Sequence, residues 1–282
     1  MGEAQGQGKT LPFTKMHGLG NDFVVIDDFT RDRGGPAVDA NLAKLLCFRR
    51  LGVGADQILW LKKPQNAAAA DARMEVLNSD GSVAEMCGNG IRAIGLYLKK
   101  YSQLAGPKYR IETLAGVKLV EMQANGLITV DMGPAKLGKQ IKSGELVRAG
   151  SRQYVFHEVN VGNPHAVIFV PDAQAIDLEK DGSSIESNSR FPQRTNVEFV
   201  QVLSESHLKV RVWERGAGAT LACGTGACAS AVAALALNKA KGRVKVSLTG
   251  GDLEIEWRDG GPVFMTGPAS EVFRGEVALT RG

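Results

Sequence analysis

One stretch of this chain is laid down twice. Arg73-Met-Glu-Val-Leu-Asn78 aligns with Lys209-Val-Arg-Val-Trp-Glu214, and continuing without a gap places Cys87-Gly-Asn-Gly90 on Cys223-Gly-Thr-Gly226. Upstream, Gly20-Asn21 matches Gly162-Asn163, and Asp56-Gln57-Ile58 matches Thr195-Asn196-Val197. The matched pieces keep their order while the spacing drifts slightly, as changes in loop length would produce. A duplicated unit restricts the fold to two similar halves related by a pseudo-two-fold axis. At 282 residues the chain is long enough for two domains.

The strand signals are short and β-branched. They cover 23–27, 57–61, 73–77, 109–112, 118–122 and 127–131 in the first half, and 154–160, 166–170, 197–203, 208–213, 244–248, 253–257 and 263–266 in the second. Helical patterns are fewer: 40–48 capped by Asp39, the apolar 91–101 and 227–239, and a weaker 177–187. Residues 66–71 read as a loop insertion. Many strands with few helices do not make regular βαβ alternation. The expectation is α+β: two pseudo-symmetric domains, each a mixed sheet or barrel around a buried central helix, with the active site in the cleft between them. The boundaries read as a disordered tail 1–10, a first domain 11–132 completed by a C-terminal strand at 271–282, and a second domain 133–270.

In each copy a strand and a short loop lead to Cys-Gly-x-Gly and then to an apolar helix. Cys87 and Cys223 are thus expected at helix N-termini, where the thiolate is favoured and free backbone N–H groups attract an anion. Gly88 and Gly224 leave room for a carboxylate to reach the backbone. If pseudo-symmetry brings the two helix starts face to face, the α-carbon of an amino acid lies between two sulfurs. One thiolate removes its proton and the opposite thiol returns one to the other face, while the helix amides hold the charge that develops on the carboxylate. Cys47 and Cys228 lie within apolar helical patterns and read as buried packing residues. A Gly-rich phosphate cradle is the weaker reading of the same turns, because a loop separates strand from turn.

Charge and cysteine spacing remove other classes. The net charge of +4 is spread along the chain with no basic block, so nucleic acid is not expected as a partner. No apolar run approaches the ~18 residues of a membrane span, and the N-terminus has no apolar signal core. The four cysteines form no CxxC pair, so no metal site is expected. Reduced thiols point to the cytoplasm.

Six motifs then carry a resemblance. They are His17-Gly-Leu-Gly-Asn-Asp-Phe23, Asn78-Ser-Asp-Gly81, Met86-Cys-Gly-Asn-Gly-Ile-Arg92, Gly162-Asn-Pro-His165, Arg194-Thr-Asn-Val-Glu198, and Trp213-Glu-Arg-Gly-Ala-Gly218 with Cys223-Gly-Thr-Gly-Ala-Cys228. In order, from about Phe13 to Phe273, they resemble the diaminopimelate epimerase family, within the cofactor-independent two-cysteine racemases and epimerases. Departures are the Gly-rich N-terminus and Ala93, where relatives often carry a second cysteine.

The resemblance implies interconversion of LL- and meso-2,6-diaminopimelate for lysine and peptidoglycan precursors, no cofactor, and a homodimer. It also implies Cys87 and Cys223 as acid/base thiols and Gly88, Asn89, Gly224 and Thr225 as the backbone cradle. Asn21, Gln57, Asn78, Asn163, Asn196, Glu214 and Arg215 become the substrate shell, with His165 and Glu214 tuning the thiols. Chemically, Arg215 suits the distal carboxylate and Glu214 an ammonium. The rival readings are another two-thiol racemase, such as a proline racemase relative, and a non-catalytic amino-acid-binding protein.

Overall fold

The computed structural model describes residues 10–30, 37–258 and 260–279. The first half contains β1 (Thr10–Gly18), β2 (Asn21–Asp27), α1 (Ala40–Cys47), β3 (Gln57–Lys62), β4 (Ala72–Asn78), β5 (Val83–Ala84), α2 (Gly88–Tyr101), β6 (Lys108–Thr113), β7 (Gly116–Met122) and β8 (Ile128–Pro134). The second contains β9 (Lys136–Leu137), β10 (Glu145–Ala149), β11 (Arg152–Asn160), β12 (Pro164–Phe169), a π-helical turn (Leu178–Gly182) running into α3 (Ser183–Glu186), β13 (Asn196–Ser204), β14 (His207–Glu214) and β15 (Gly218–Ala219). It ends with α4 (Gly224–Ala236), β16 (Val244–Leu248), β17 (Gly251–Trp257), β18 (Pro262–Gly267) and β19 (Ser270–Ala278). The architecture is α+β.

Strand register repeats with the sequence. β2 pairs in parallel with β3 through Phe23 and Gln57, and β12 with β13 through His165 and Asn196. β3 pairs antiparallel with β4 through Ile58 and Leu77, and β13 with β14 through Val197 and Trp213. β4 then takes β6 as a parallel neighbour, as β14 takes β16. Side chains in a strand alternate between faces, so equal register puts equivalent residues on equivalent faces. β8 and β18 pair with each other and join the halves into one continuous sheet. The next strands change partners: β9 pairs with β11, and β19 pairs with β1 along most of its length.

α2 and α4 are buried along most of their length and share one core with the strands around them. Small residues make this fit. A Cβ on Gly95 of α2 would stand 2.7 Å from Val120 of β7, and α4 is largely Ala, with Ala227, Ala229, Ala231, Ala233 and Ala234 buried. Two smaller cores lie apart from this one, one including Leu42 and Leu46 of α1 and the other Ile185 of α3.

Several expectations change. Both central helices begin at glycine, three residues before the expected starts, because Cys87 and Cys223 cap them from outside. Thr10 belongs to β1 rather than to a tail; residues 1–9 lie outside the described residues. β1 and β10 lacked a β-branched run and were not expected. The helix expected at 177–187 is one π turn followed by one α turn.

Cys228 is fully enclosed in α4, and burial pushes its thiol up to about 12. Below the ordinary thiol value of ~8.5 both folded and unfolded chains keep this proton. Above it only the unfolded chain loses the proton, so this contribution to stability falls as pH rises. Urea unfolding at pH 8 and pH 10 should therefore show a smaller loss in Cys228→Ala than in the parent, by on the order of 1–2 kcal/mol.

Candidate active site

The starts of α2 and α4 meet at the junction of the halves. A Cβ on Gly88 would lie 3.7 Å from the Gly224 Cα and 3.2 Å from the Met265 methyl; one on Gly224 would lie 3.1 Å from the Met265 sulfur. A side chain at either place would press first on the end of Met265. Cys87 and Cys223 are the N-caps, each in extended backbone, and each sulfur accepts the N–H three residues on, Gly90 or Gly226, at 3.3 Å. The N–H groups of Gly88, Asn89, Gly224 and Thr225 belong to the first helical turns and have no acceptor within their own helices. Two positive helix ends thus converge on one place, suited to a carboxylate.

Around Cys87 the sulfur lies 3.6 Å from Asn21 Oδ1. Asn89 Nδ2 donates to the same oxygen at 3.2 Å and to the Ala222 carbonyl at 2.9 Å, which ties α2 to the loop before Cys223. Asn89 Oδ1 accepts from Arg92 Nη2 at 2.8 Å. Arg92 is fully buried with no carboxylate partner among the described residues, and its other donors reach the carbonyls of Gly88 and Pro268. Burial lowers its guanidinium to about 10.

Around Cys223 the sulfur lies 3.4 Å from Thr225 Oγ1, which accepts from Asn163 Nδ2 at 3.3 Å. Asn163 Oδ1 lies 2.8 Å from His165 Nε2, and His165 Nδ1 lies 2.6 Å from Glu198 Oε1. His165 and Glu198 are both wholly buried, and Glu198 Oε2 has no partner among the described residues. Glu214, from the end of β14, bonds to Cys223 and accepts from Thr220 Oγ1 at 2.5 Å. Burial raises the carboxyls of both Glu198 and Glu214.

The structure thus brings Cys87, Asn21, Gly88 and Asn89 together with Gly224, and Cys223, Thr225, Asn163, His165 and Glu214 around the second sulfur. Gln57 Nε2 donates to Asn78 Oδ1 at 2.8 Å, and Asn78 donates onward to Ser82; Gln57 Oε1 is buried and unpartnered among the described residues. Asn196 uses its amide on backbone: Oδ1 accepts from Arg215 N–H at 3.0 Å and Nδ2 donates to the Pro164 carbonyl at 2.9 Å. The Arg215 side chain is exposed and bonds to the Gln193 carbonyl at 3.5 Å. Among the described residues no group of His, Cys, Asp and Glu is placed to hold a metal ion.

Three residues were not singled out from sequence. Glu198 stands between Asn196 and Val200 on one face of β13, and a glutamate in an otherwise core-facing alternation was its signal. Arg92 gave no signal: an arginine in an amphipathic helix reads as surface. Asp56 was noted only as part of a repeated tripeptide.

The sign of the thiol shift reverses the expectation. A helix N-terminus favours the thiolate, yet burial dominates and pushes Cys87 up to about 11. Cys223 is also raised, first by burial and then by the charges of Glu214 and Glu198. Both sulfurs are therefore thiols at neutral pH in the unliganded chain.

A sequence model described as diaminopimelate epimerase matches residues 13–138 and 158–272. The chain is 44% identical over 282 residues to the diaminopimelate epimerase of Synechococcus elongatus, covering 96% of this chain and 99% of that one. It is 47% identical over 279 residues to that of Desulforudis audaxviator, covering 94% and 99%. Among solved structures, a probable proline racemase from Agrobacterium radiobacter aligns with a TM-score of 0.73 at 15% identity, covering 96% of this chain and 93% of that one. A PhzF-family protein from Bacillus anthracis aligns at 0.72 and 14% identity, covering 96% and 100%. These structures share the fold.

The raised thiol has a direct readout. Iodoacetamide should alkylate Cys87 at pH 8 about ten- to a hundredfold more slowly than in the unfolded chain, the scarcity of thiolate outweighing its greater nucleophilicity. The rate should still climb at pH 10, measured by quantitative peptide mapping. A plateau below pH 8 would instead mark a thiol lowered by the helix end.

Proposed function

The chain belongs to the diaminopimelate epimerase family, and from that premise we propose that Cys87 and Cys223 are the acid and base of its reaction. It is an isomerase of the amino-acid racemase/epimerase type that interconverts LL- and meso-2,6-diaminopimelate. The observation carrying the proposal is that two cysteine-capped helix starts, equivalent in a duplicated fold, abut at Gly88 and Gly224.

In this reading the reacting carboxylate takes the free first-turn N–H groups of both helices, which fixes the α-carbon between the sulfurs. One cysteine, deprotonated as substrate binds, takes the α-proton. The carboxylate gains enolate character, and the two helix ends stabilise the added charge. The opposite thiol delivers its proton to the other face. Glu214 is placed to accept the Cys223 proton, which offsets the cost of forming a thiolate in a buried site. His165, tied to Glu198, acts on the Cys223 side through Asn163 and Thr225.

At the distal end, the free Gln57 Oε1 is an acceptor for the ammonium and Arg215 grips the carboxylate. Asn78, and Asn196 through the Arg215 backbone, hold this end in place. The cleft then lies between two domains, 11–132 and 133–270, with the C-terminal strand added to the first. Repeated register and the pairing of β19 with β1 support that division. The protein works as a homodimer in the cytoplasm, without nucleic acid. The exposed Val272 and Phe273 on β19 suit contact with a second copy.

Cys87→Ala and Cys223→Ala should each abolish epimerisation while circular dichroism shows a folded protein, because two faces need two groups. Full turnover by either single variant sinks the two-thiol reading. Arg215 is exposed in the unliganded chain; if bound substrate covers it, Arg215→Met should lower kcat/KM for LL-diaminopimelate by about ten- to a thousandfold, since removing a charge-assisted contact enclosed in the complex costs on the order of 2–5 kcal/mol. A change below about threefold is what a solvated arginine would give, and would move the distal carboxylate elsewhere.

A further inference from the structure

Asn21 and Asn163 occupy equivalent places at the start of the first strand of the parallel pair in each half: Asn21 opens β2 and Asn163 immediately precedes β12. Their carboxamides face opposite ways. Asn21 turns its oxygen to the Cys87 sulfur and its Nδ2 away, onto Asp56 Oδ2 at 2.9 Å. Asn163 turns its Nδ2 toward Thr225, beside Cys223, and its oxygen away onto His165. The groups behind the two amides account for this. Asp56 presents carboxylate oxygens, which accept from Asn21, from the Asp22 N–H and from Arg49. In the repeat its position is taken by Thr195, whose hydroxyl donates to a backbone carbonyl instead.

Asp56 is itself held in place. Arg49 Nη2 lies 2.7 Å from Asp56 Oδ1 and 2.8 Å from Asp22 Oδ1. Asp22 and Asp56 exchange backbone N–H bonds at 3.1 and 3.0 Å, and Lys15 pairs with Asp22 at 2.6 Å. At the other end of the chain of amides, Arg92 can only donate, which fixes Asn89 Oδ1 and turns Asn89 Nδ2 to Asn21 Oδ1. The Arg92–Asn89–Asn21–Asp56 run therefore begins at an obligate donor and ends at an obligate acceptor, so one sense of both amides satisfies it.

We propose that Asp56, held by Arg49, is a positioning residue that keeps the Asn21 carboxamide oxygen against Cys87 and thereby keeps the proton on that thiol until substrate binds. An acceptor stabilises S–H and disfavours S⁻. The other charged groups acting on Cys87 are Arg92 from α2 and Glu214 from β14, and both remain when Asp56 is changed. The two thiols then rest in unlike surroundings: Cys87 faces a fixed acceptor, and Cys223 faces a hydroxyl and the Glu214 carboxylate. The inference rests on the two-thiol reading for its catalytic consequence but not for its effect on Cys87.

The test compares Asp56→Ala, which removes the acceptor, with Asp56→Asn, which keeps an oxygen for Asn21 Nδ2 but loses the charge. In Asp56→Ala, alkylation of Cys87 by iodoacetamide at pH 8 should rise about fivefold or more, as expected for loss of a hydrogen bond to the neutral form. Cys223 should stay within about twofold of the parent, and Asp56→Asn should return Cys87 to within about threefold of the parent rate. Turnover should follow, with kcat down about tenfold in Asp56→Ala, KM changed less than about threefold, and recovery in Asp56→Asn.

Arg49→Gln frees the carboxylate from the exposed side and should shift Cys87 in the same direction, which keeps the test available if Asp56→Ala does not fold. A clamp that merely held β2 to β3 would move both thiols together and respond equally to Ala and Asn. That result, or an unchanged Cys87 in folded Asp56→Ala, overturns the proposal. A selective Cys87 shift with unchanged turnover upholds the positioning and instead overturns the catalytic role of the thiol.

Discussion

The rest of the structure depends on the close approach of two helix N-termini that carry no side chains at their point of contact. Gly88 and Gly224 let the ends of α2 and α4 meet, with Met265 filling the space beside them. Both helix dipoles then point at one small volume, an arrangement that two positive ends disfavour unless something negative sits between them. The unliganded chain meets part of that demand with sulfur and amide oxygens: each cysteine accepts its own Gly N–H, and Asn89 bridges from α2 to the carbonyl before Cys223. A carboxylate meets it more fully. The sheet that encloses the helices fixes the geometry of that place.

Burial is the second theme, and it opposes the first. A thiol at a helix end is favoured as thiolate, yet enclosure costs a charged sulfur more than one helix end returns, so Cys87 rises to about 11. The same enclosure makes the chemistry worthwhile. In a site of low effective dielectric, the attraction between the helix ends and a developing enolate is larger than in water. Glu214 stands beside Cys223, and the buried Glu198–His165 pair stands behind it through Asn163 and Thr225.

Duplication explains why the site has two sulfurs, and divergence explains why they are not interchangeable. The register of β2, β3 and β4 is repeated in β12, β13 and β14. The residues behind the sulfurs are not repeated. Gly90 packs against Leu59, whereas Gly226 packs against Glu198, and Phe23 stands where His165 does. An apolar backing plus an ionic bracket serves Cys87, while a buried acid–imidazole pair serves Cys223.

The sequence by itself determined the duplication, the α+β class, both cysteine-led helices and most strands. All of these are local or repetitive: β-branched runs set strands, and two copies of Cys-Gly-x-Gly set two helix starts. It also marked Asn21, Asn163 and Glu214, which sit in the repeated motifs, while His165 came with the family resemblance and Glu198 and Arg92 were not singled out. Several matters were decided only by tertiary structure. β1 forms largely by pairing with β19, the C-terminal strand expected at 271–282, and does not announce itself in its own residues. The pairing of β9 with β11 depends on where β8 and β18 meet. The burial of Arg92 depends on carbonyls as distant as Pro268. The direction of the thiol shift and the sense of the Asn21 and Asn163 amides follow from desolvation and from which donors lie behind each group. Those are sums over neighbours far apart in the chain, and no local pattern encodes them.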